Sequence, residues 1–159
     1  MKIRILTVGK CKEEFAKEGV KEYSKRLSKF AQIEIVEVDD EKTKENASIN
    51  ELNLVKDKEG EKLLAKIQDR DYVIALAING KTYDSVEFSE HLTDLMNDGN
   101  STIDFVIGGS VGLSDKVLNR ANERLSFSDF TFPHQLMRVI LLEQIFRAFK
   151  IAKNEPYHK

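Results

Sequence analysis

The sequence predicts an α/β fold in which a mainly parallel sheet is flanked by helices, and three observations lead there. Short β-branched runs alternate with segments of helical periodicity along the whole chain. Each interval between strand-like runs is long enough for a helix to carry the chain back parallel to the strand before it. Neither an internal repeat nor a low-complexity stretch interrupts the 159 residues, and 41% of them are hydrophobic, which suits one domain spanning 1–159 and excludes a second.

The elements follow in order. Ile3 to Val8 reads as a strand, and Phe15, Val20, Tyr23 and Leu27 then share one helical face. Ile33 to Val38 alternates apolar with acidic residues, as a strand partly open to solvent does, and Asp39 to Ser48 is a charged loop. Ser48 with Glu51 forms a capping box for a helix whose stripe is Ile49, Leu52, Val55, Leu63 and Ile67. Tyr72 to Ile78 is apolar throughout, the pattern of a strand covered on both faces, and Asn79-Gly80 is read as a turn. Asp84 or Ser85 starts a helix carrying Phe88, Leu92, Leu95 and Met96, which Gly99 stops. Ile103 to Ile107 is a strand running into Gly108-Gly109-Ser110-Val111-Gly112, and Ser114 caps a short helix to about Ala121. Leu125 to Phe127 is a brief strand, and Pro133 opens a final long helix.

That helix is unusual. From Leu136 to Ala152 twelve of seventeen residues are apolar, more than one face can hold. Leu136, Val139, Ile140, Phe146 and Phe149 are expected to face the sheet, leaving Leu141, Leu142, Ile145, Ala148 and Ala152 for another cover. A second copy of the chain is the simplest cover, and burial within one enveloping domain is the alternative.

Composition limits the function classes. The net charge of −2 makes no global case for nucleic acid, yet residues 116–159 carry eight Lys and Arg against four acids on an otherwise acidic chain. Cys11 is alone, so no internal disulfide is possible, and a reducing cytoplasm is expected. No stretch approaches a membrane span, and MKIRILTVGK lacks the apolar run of a signal peptide. His91, His134 and His158 have no metal-ligand spacing, so no metal is expected. No GxSxG elbow supports a serine nucleophile.

In a parallel α/β sheet ligands bind beyond the carboxyl ends of the strands. The loops there begin at Leu76 to Gly80, Gly108 to Gly112 and Phe127 to Phe132. GGSVG is neither a dinucleotide fingerprint nor a phosphate loop, so a close approach to a ligand and a plain tight turn both remain open. Asp129 stands about 20 residues past Gly108, the place of a ribose-binding acid in a dinucleotide fold, but the fingerprint that should precede it is missing.

FVIGGSVGLS at 105–114, LSFSDFTFPHQLMRVILLEQIFRAFKI at 125–151 and NEPYHK at 154–159 resemble the RlmH family of SPOUT methyltransferases, and IRILTVGK and KDKEGEKLLAKI fit it too. The resemblance covers essentially the whole chain. It implies a sheet whose C-terminal part is threaded into a trefoil knot, which topology rules alone would reject. It also implies a homodimer and methylation of ring nitrogen 3 of a pseudouridine in 23S ribosomal RNA, with S-adenosylmethionine as donor.

By the same resemblance the cofactor lies among Leu76, Gly108 and the run Phe127, Ser128, Asp129, Phe130, Thr131 and Phe132, and a side chain at Gly108 is expected to project toward the donor. Tyr157 and His158 are the candidates for moving the proton of the acceptor nitrogen, and His134, Arg138 and Lys159 for holding the substrate. Lys159 stands where many members carry arginine. A chain this small has little surface for reading sequence, so the assembled ribosome is the expected partner rather than free RNA. Two other classes are kept beside this one: a cofactor-binding module without catalysis, and a dimeric interaction protein.

Overall fold

The computed structural model describes residues 1–159. Five strands, β1 (Lys2–Val8), β2 (Gln32–Val38), β3 (Tyr72–Thr82), β4 (Thr102–Ile107) and β5 (Glu123–Ser126), form one all-parallel sheet in the order β2-β1-β4-β3-β5. The helices between and after them are α1 (Glu14–Leu27), α2 (Ile49–Leu64), α3 (Ser85–Asn97), α4 (Asp115–Arg120) and α5 (His134–Ala152).

Alternation along the strands divides the core in two. Ile3, Ile5, Ile74, Ile103, Phe105 and Ile107 face α1, α3 and α5. Leu6, Val8, Val73 and Val106 face α2 and α4, where Leu63 and Val117 meet them. Side-chain caps fix several helix starts. The Ser48 hydroxyl accepts from Glu51 N, Ser114 from Val117 N, and Asp84 with Glu87 completes a reciprocal box. Gly99, at φ +93°, takes the left-handed position that ends α3.

Three local expectations are corrected. Asn79-Gly80 does not end β3; the strand continues to Thr82, with Leu76 and Lys81 both registering on Leu125 across an irregularity. A Cβ at Gly80 would lie 2.7 Å from Arg124 C, so this glycine serves a close backbone crossing rather than a turn. The stripe of α1 turns on Ala16 instead of Phe15, which is exposed, while Ile49 at the start of α2 is exposed as well.

On α5 the expected faces are largely exchanged. Leu141, Leu142, Ile145, Phe146, Ala148 and Phe149 are buried in the core, whereas Leu136, Val139 and Ile140 are half-buried. α5 lies between α1 and α3 on the sheet. Val139 packs so closely on α1 that a Cβ at Gly19 would sit 2.8 Å from its methyls, and Ser89 of α3 donates to Ala148 O. Neighbours within the chain therefore cover most of the apolar excess of α5, leaving an outer strip of Leu136, Ile140, Glu143 and Arg147.

One buried polar cluster sits between β1 and β4 on the α2 side. The Arg4 guanidinium reaches Asp71 at 3.4 Å, Asp104 at 3.5 Å and Lys66 O at 2.7 Å. Burial, with the Asp71 carboxyl beside it, pushes the fully enclosed Asp104 carboxyl up to about 7.

Candidate functional site

The three strand-end loops converge on a single cleft of about 190 Å³, open to solvent. Leu76, Ala77 and Ile78 enter from β3, Gly108, Gly109 and Gly112 from the loop after β4, and Phe127, Ser128, Phe130, Thr131 and Phe132 from the segment between β5 and α5. His134 and Met137 of α5 close one side. Ile78 and Phe130 are large apolar side chains left 57% and 79% exposed, so the cleft has hydrophobic lips that an occupant would cover. Asp129 is exposed and absent from the lining, which separates it from the rest of its run.

Glycine is required in the loop for shape. A Cβ on Gly108 would stand 2.8 Å from Gly112 C and 3.1 Å from Leu113 Cγ, so it would strike the loop itself. The expectation that it would project toward a donor is thereby corrected. Gly109 and Gly112 pair as an isolated antiparallel bridge, with Gly112 N donating to Gly109 O, while the amides of Gly108, Ser110 and Val111 donate to no atom of the chain. Three free donors beside an apolar wall can meet the oxygens or ring nitrogens of a polar ligand.

His134 is half-buried, and desolvation aided by the Arg138 cation lowers its pKa below the ordinary imidazole value, which keeps it neutral. Arg138 does not reach the cleft. Its side chain is 1% exposed and binds Glu37 Oε2 at 2.7 Å, Gly9 O at 2.9 Å and Val8 O at 3.3 Å, locking α5 to the ends of β1 and β2. Arg138, expected on the substrate side of the pocket, instead has its terminal nitrogens engaged at the ends of β1 and β2 and is absent from the cleft lining.

The tail folds back on the middle of α5. Tyr157 packs edge-on against Phe146 at 4.9 Å, and its hydroxyl donates to Glu143 Oε1 at 3.0 Å. Arg147 binds the same carboxylate at 2.6 Å, covers the Tyr157 ring and lies 3.2 Å from His158 Nδ1. Burial and the Glu143 carboxylate push the Tyr157 phenol up to about 12, in keeping with its donated bond to that carboxylate. Lys159 and His158 are exposed. Between Met137 at the cleft and Arg147 at the tail, ten residues of α5 span about 15 Å. The structure therefore brings the loop residues and His134 together but leaves Tyr157, His158 and Lys159 apart from them.

Sequence reasoning missed three neighbours. Gln135 accepts from Lys12 N and Glu13 N and ties the loop after β1 to α5. Glu37 receives Arg138 and Cys11 N. Glu59 is buried beside Gly109 with Oε1 unpartnered, and burial raises its pKa. No spacing signals these contacts; the buried carboxylate in a KDKEGEKLL segment reads as helix surface. His91, on α3, pairs with Glu123 at 2.7 Å and stacks on Tyr83. No group of three or more His, Cys, Asp or Glu is arranged to hold a metal, and no helix is long and apolar enough to cross a membrane.

Residues 1–158 match the family described as "Predicted SPOUT methyltransferase". Over all 159 residues, and the whole of each relative, the chain is 57% identical to the Ribosomal RNA large subunit methyltransferase H of Clostridium acetobutylicum and to that of Clostridioides difficile. It is 58% identical, again over full length, to a protein of the same name from Clostridium botulinum. A family match over almost every residue, together with a five-stranded parallel sheet and a cleft at its carboxyl edge, shows that this chain belongs to the SPOUT methyltransferases, whose fold is knotted in its C-terminal part.

Proposed function

We infer that the protein methylates large-subunit ribosomal RNA with S-adenosylmethionine, at ring nitrogen 3 of a pseudouridine in 23S RNA, working as a homodimer on the assembled ribosome in the cytoplasm. One observation carries the reading: a methyltransferase-family chain presents an apolar, glycine-bounded cleft at the carboxyl ends of its parallel strands, and its full-length relatives are named for ribosomal RNA methylation.

The cleft suits the cofactor chemically. Leu76, Phe127 and Phe132 offer apolar faces for a purine, and the free amides of Gly108, Ser110 and Val111 suit ribose or carboxylate oxygens. Ser128, Phe130 and Thr131 complete that set, and Asp129 drops out of it. S-adenosylmethionine, when bound, supplies an electrophilic methyl group.

The chain's own residues must hold the acceptor base and move its proton. An imide nitrogen is a nucleophile only after losing that proton. His134, neutral in the cleft wall, is a suitable acceptor, and Arg138 positions it through the ends of β1 and β2. An arginine can only donate, so His158 Nδ1 accepts from Arg147 and its imidazole presents Nε2–H outward. That donor stabilises the negative charge developing on a base carbonyl oxygen, with Tyr157 orienting the tail and Lys159 supplying a cation for base or phosphate.

Because the tail lies about 15 Å along α5 from its own cleft, it serves a partner's cleft. The half-exposed strip of Leu136 and Ile140 is the proposed contact. An antiparallel pairing of two α5 helices centred near residue 141 sets Arg147 beside the partner's Gln135, next to His134 of the partner subunit.

Ribosomes lacking the modification, incubated with tritiated S-adenosylmethionine and digested to nucleosides, test the reading. Label in a single methylated pseudouridine is expected. No incorporation, despite measurable cofactor binding by calorimetry, overturns catalysis and leaves a binding module.

A further inference from the structure

At the other end of α5, away from the cleft, lies a groove of about 560 Å³ between the last turns of α1 and α5. Lys25, Arg26 and Lys29 line one bank and Lys150 and Lys153 the other, against only two carboxylates, Glu22 and Glu155. The carboxylates are engaged: Glu22 pairs with Arg26 at 3.2 Å and Glu155 with Lys150 at 2.7 Å. Lys25, Lys29 and Lys153 are exposed and have no ion partner in the chain. In a chain of net charge −2 this is a marked concentration of positive charge.

Helix dipoles favour a cation in each last turn, but they do not require two helices to converge five cations on one trough, where like charges repel. The field is felt locally: Lys150, Lys153 and Lys29 together hold the exposed Glu155 carboxyl below the usual carboxylate range. The floor offers no protein-type anchor pocket. Phe30 stacks on Phe149 at 5.4 Å, and Lys150 and Lys153 cover its face, while Arg26 and Lys150 cover Phe146. Two banks of flexible ammonium groups above an already satisfied floor suit a run of phosphates better than a folded protein surface.

We propose that the α1–α5 groove, lined by Lys25, Lys29 and Lys153, is a second docking surface that holds a phosphodiester stretch of ribosomal RNA. It rests on the ribosomal RNA reading above and adds a site about 24 Å along α5 from His134. Contact at two separated places gives a small enzyme orientation on a large target without sequence readout.

The test compares wild type with Lys25→Gln/Lys29→Gln/Lys153→Gln and with the charge-keeping Arg triple, by cosedimentation with ribosomes over a range of salt and by methyl-transfer kinetics. The Gln triple should bind ribosomes at least about tenfold more weakly, with a log–log salt slope shallower by about two. Its KM for ribosomes should rise while kcat and S-adenosylmethionine affinity stay near wild type, and the Arg triple should behave as wild type. Equal binding and equal salt slope in the Gln triple overturn the groove, as does a wild type that fails to bind ribosomes. A loss seen with ribosomes but not with deproteinised 23S RNA would move the contact to ribosomal protein and overturn the RNA assignment. Ribosome binding that follows the groove charges without any methyl transfer would instead sink the proposed reaction and leave the groove standing.

Discussion

Tyr157 turns back along α5 to donate its hydroxyl to Glu143 Oε1 at 3.0 Å, and the same carboxylate oxygen receives Arg147 at 2.6 Å. Glu143 thus anchors the tail on the outer face of α5. Replacing it with Ala should free both groups, lowering methyl transfer by about tenfold to a hundredfold while S-adenosylmethionine affinity holds, since a positioned acid-base group is worth that order. Calorimetry beside initial rates on ribosomes checks this. A Glu143→Ala enzyme with wild-type kcat would show that the anchor is only structural.

Two substitutions on α5 separate core from interface. Leu142 is fully buried in its own chain, so Leu142→Arg should unfold the protein or leave it aggregated. Ile140 is half-buried on the outer strip, so Ile140→Arg should keep the circular dichroism spectrum and yield a folded monomer of about 18 kDa by light scattering. A folded Ile140→Arg dimer would move the interface elsewhere.

Gly80 crosses the backbone of Arg124 and Leu125 at 2.7 to 2.8 Å from its ideal Cβ position. Valine there must push β3 off β5. A loss of roughly 2 kcal/mol, read as a fall in Tm of at least about 5 °C, is expected. Gly99→Ala, with open space around it, should cost less, through its φ of +93° alone.

Asp104 has its carboxyl raised from 3.8 to about 7 by burial. Between those values the folded state keeps a proton that the unfolded chain has lost, so this group's contribution to stability falls as pH rises from about 4 to 7 and is level above. Asp104→Asn removes that dependence. The Tm of wild type minus that of the variant should therefore be larger at pH 5 than at pH 8, and an equal difference would contradict the linkage.

Much of the fold was legible because strand and helix periods depend on local sequence. The strand at 3–8, the caps at Ser48, Asp84 and Ser114, and the positive-φ stop at Gly99 need only near neighbours. What failed depends on distant chain. Gly80 looks like a turn until Arg124 passes over it, and the face of α5 that holds Leu142 is set by α1 and α3 packing on either side. The loops that line the cleft were legible from strand ends and family motifs. The inward turn of Arg138 was not, because its acceptors, Glu37, Val8 and Gly9, are at least about 100 residues away in sequence.

The shared site is tested most directly by mixing two inactive subunits. Deleting 157–159 removes the tail and leaves the cleft, and Gly108→Val, whose Cβ would strike Gly112 at 2.8 Å, spoils the cleft and leaves the tail. Each homodimer alone should transfer methyl groups to ribosomes at least about a hundredfold more slowly than wild type. Co-expressed, they should recover up to about a quarter of wild-type activity, because about half the dimers are mixed and each mixed dimer holds one complete site. No recovery above the separate homodimers, with mixed dimers verified by mass spectrometry, would contradict a site shared between subunits.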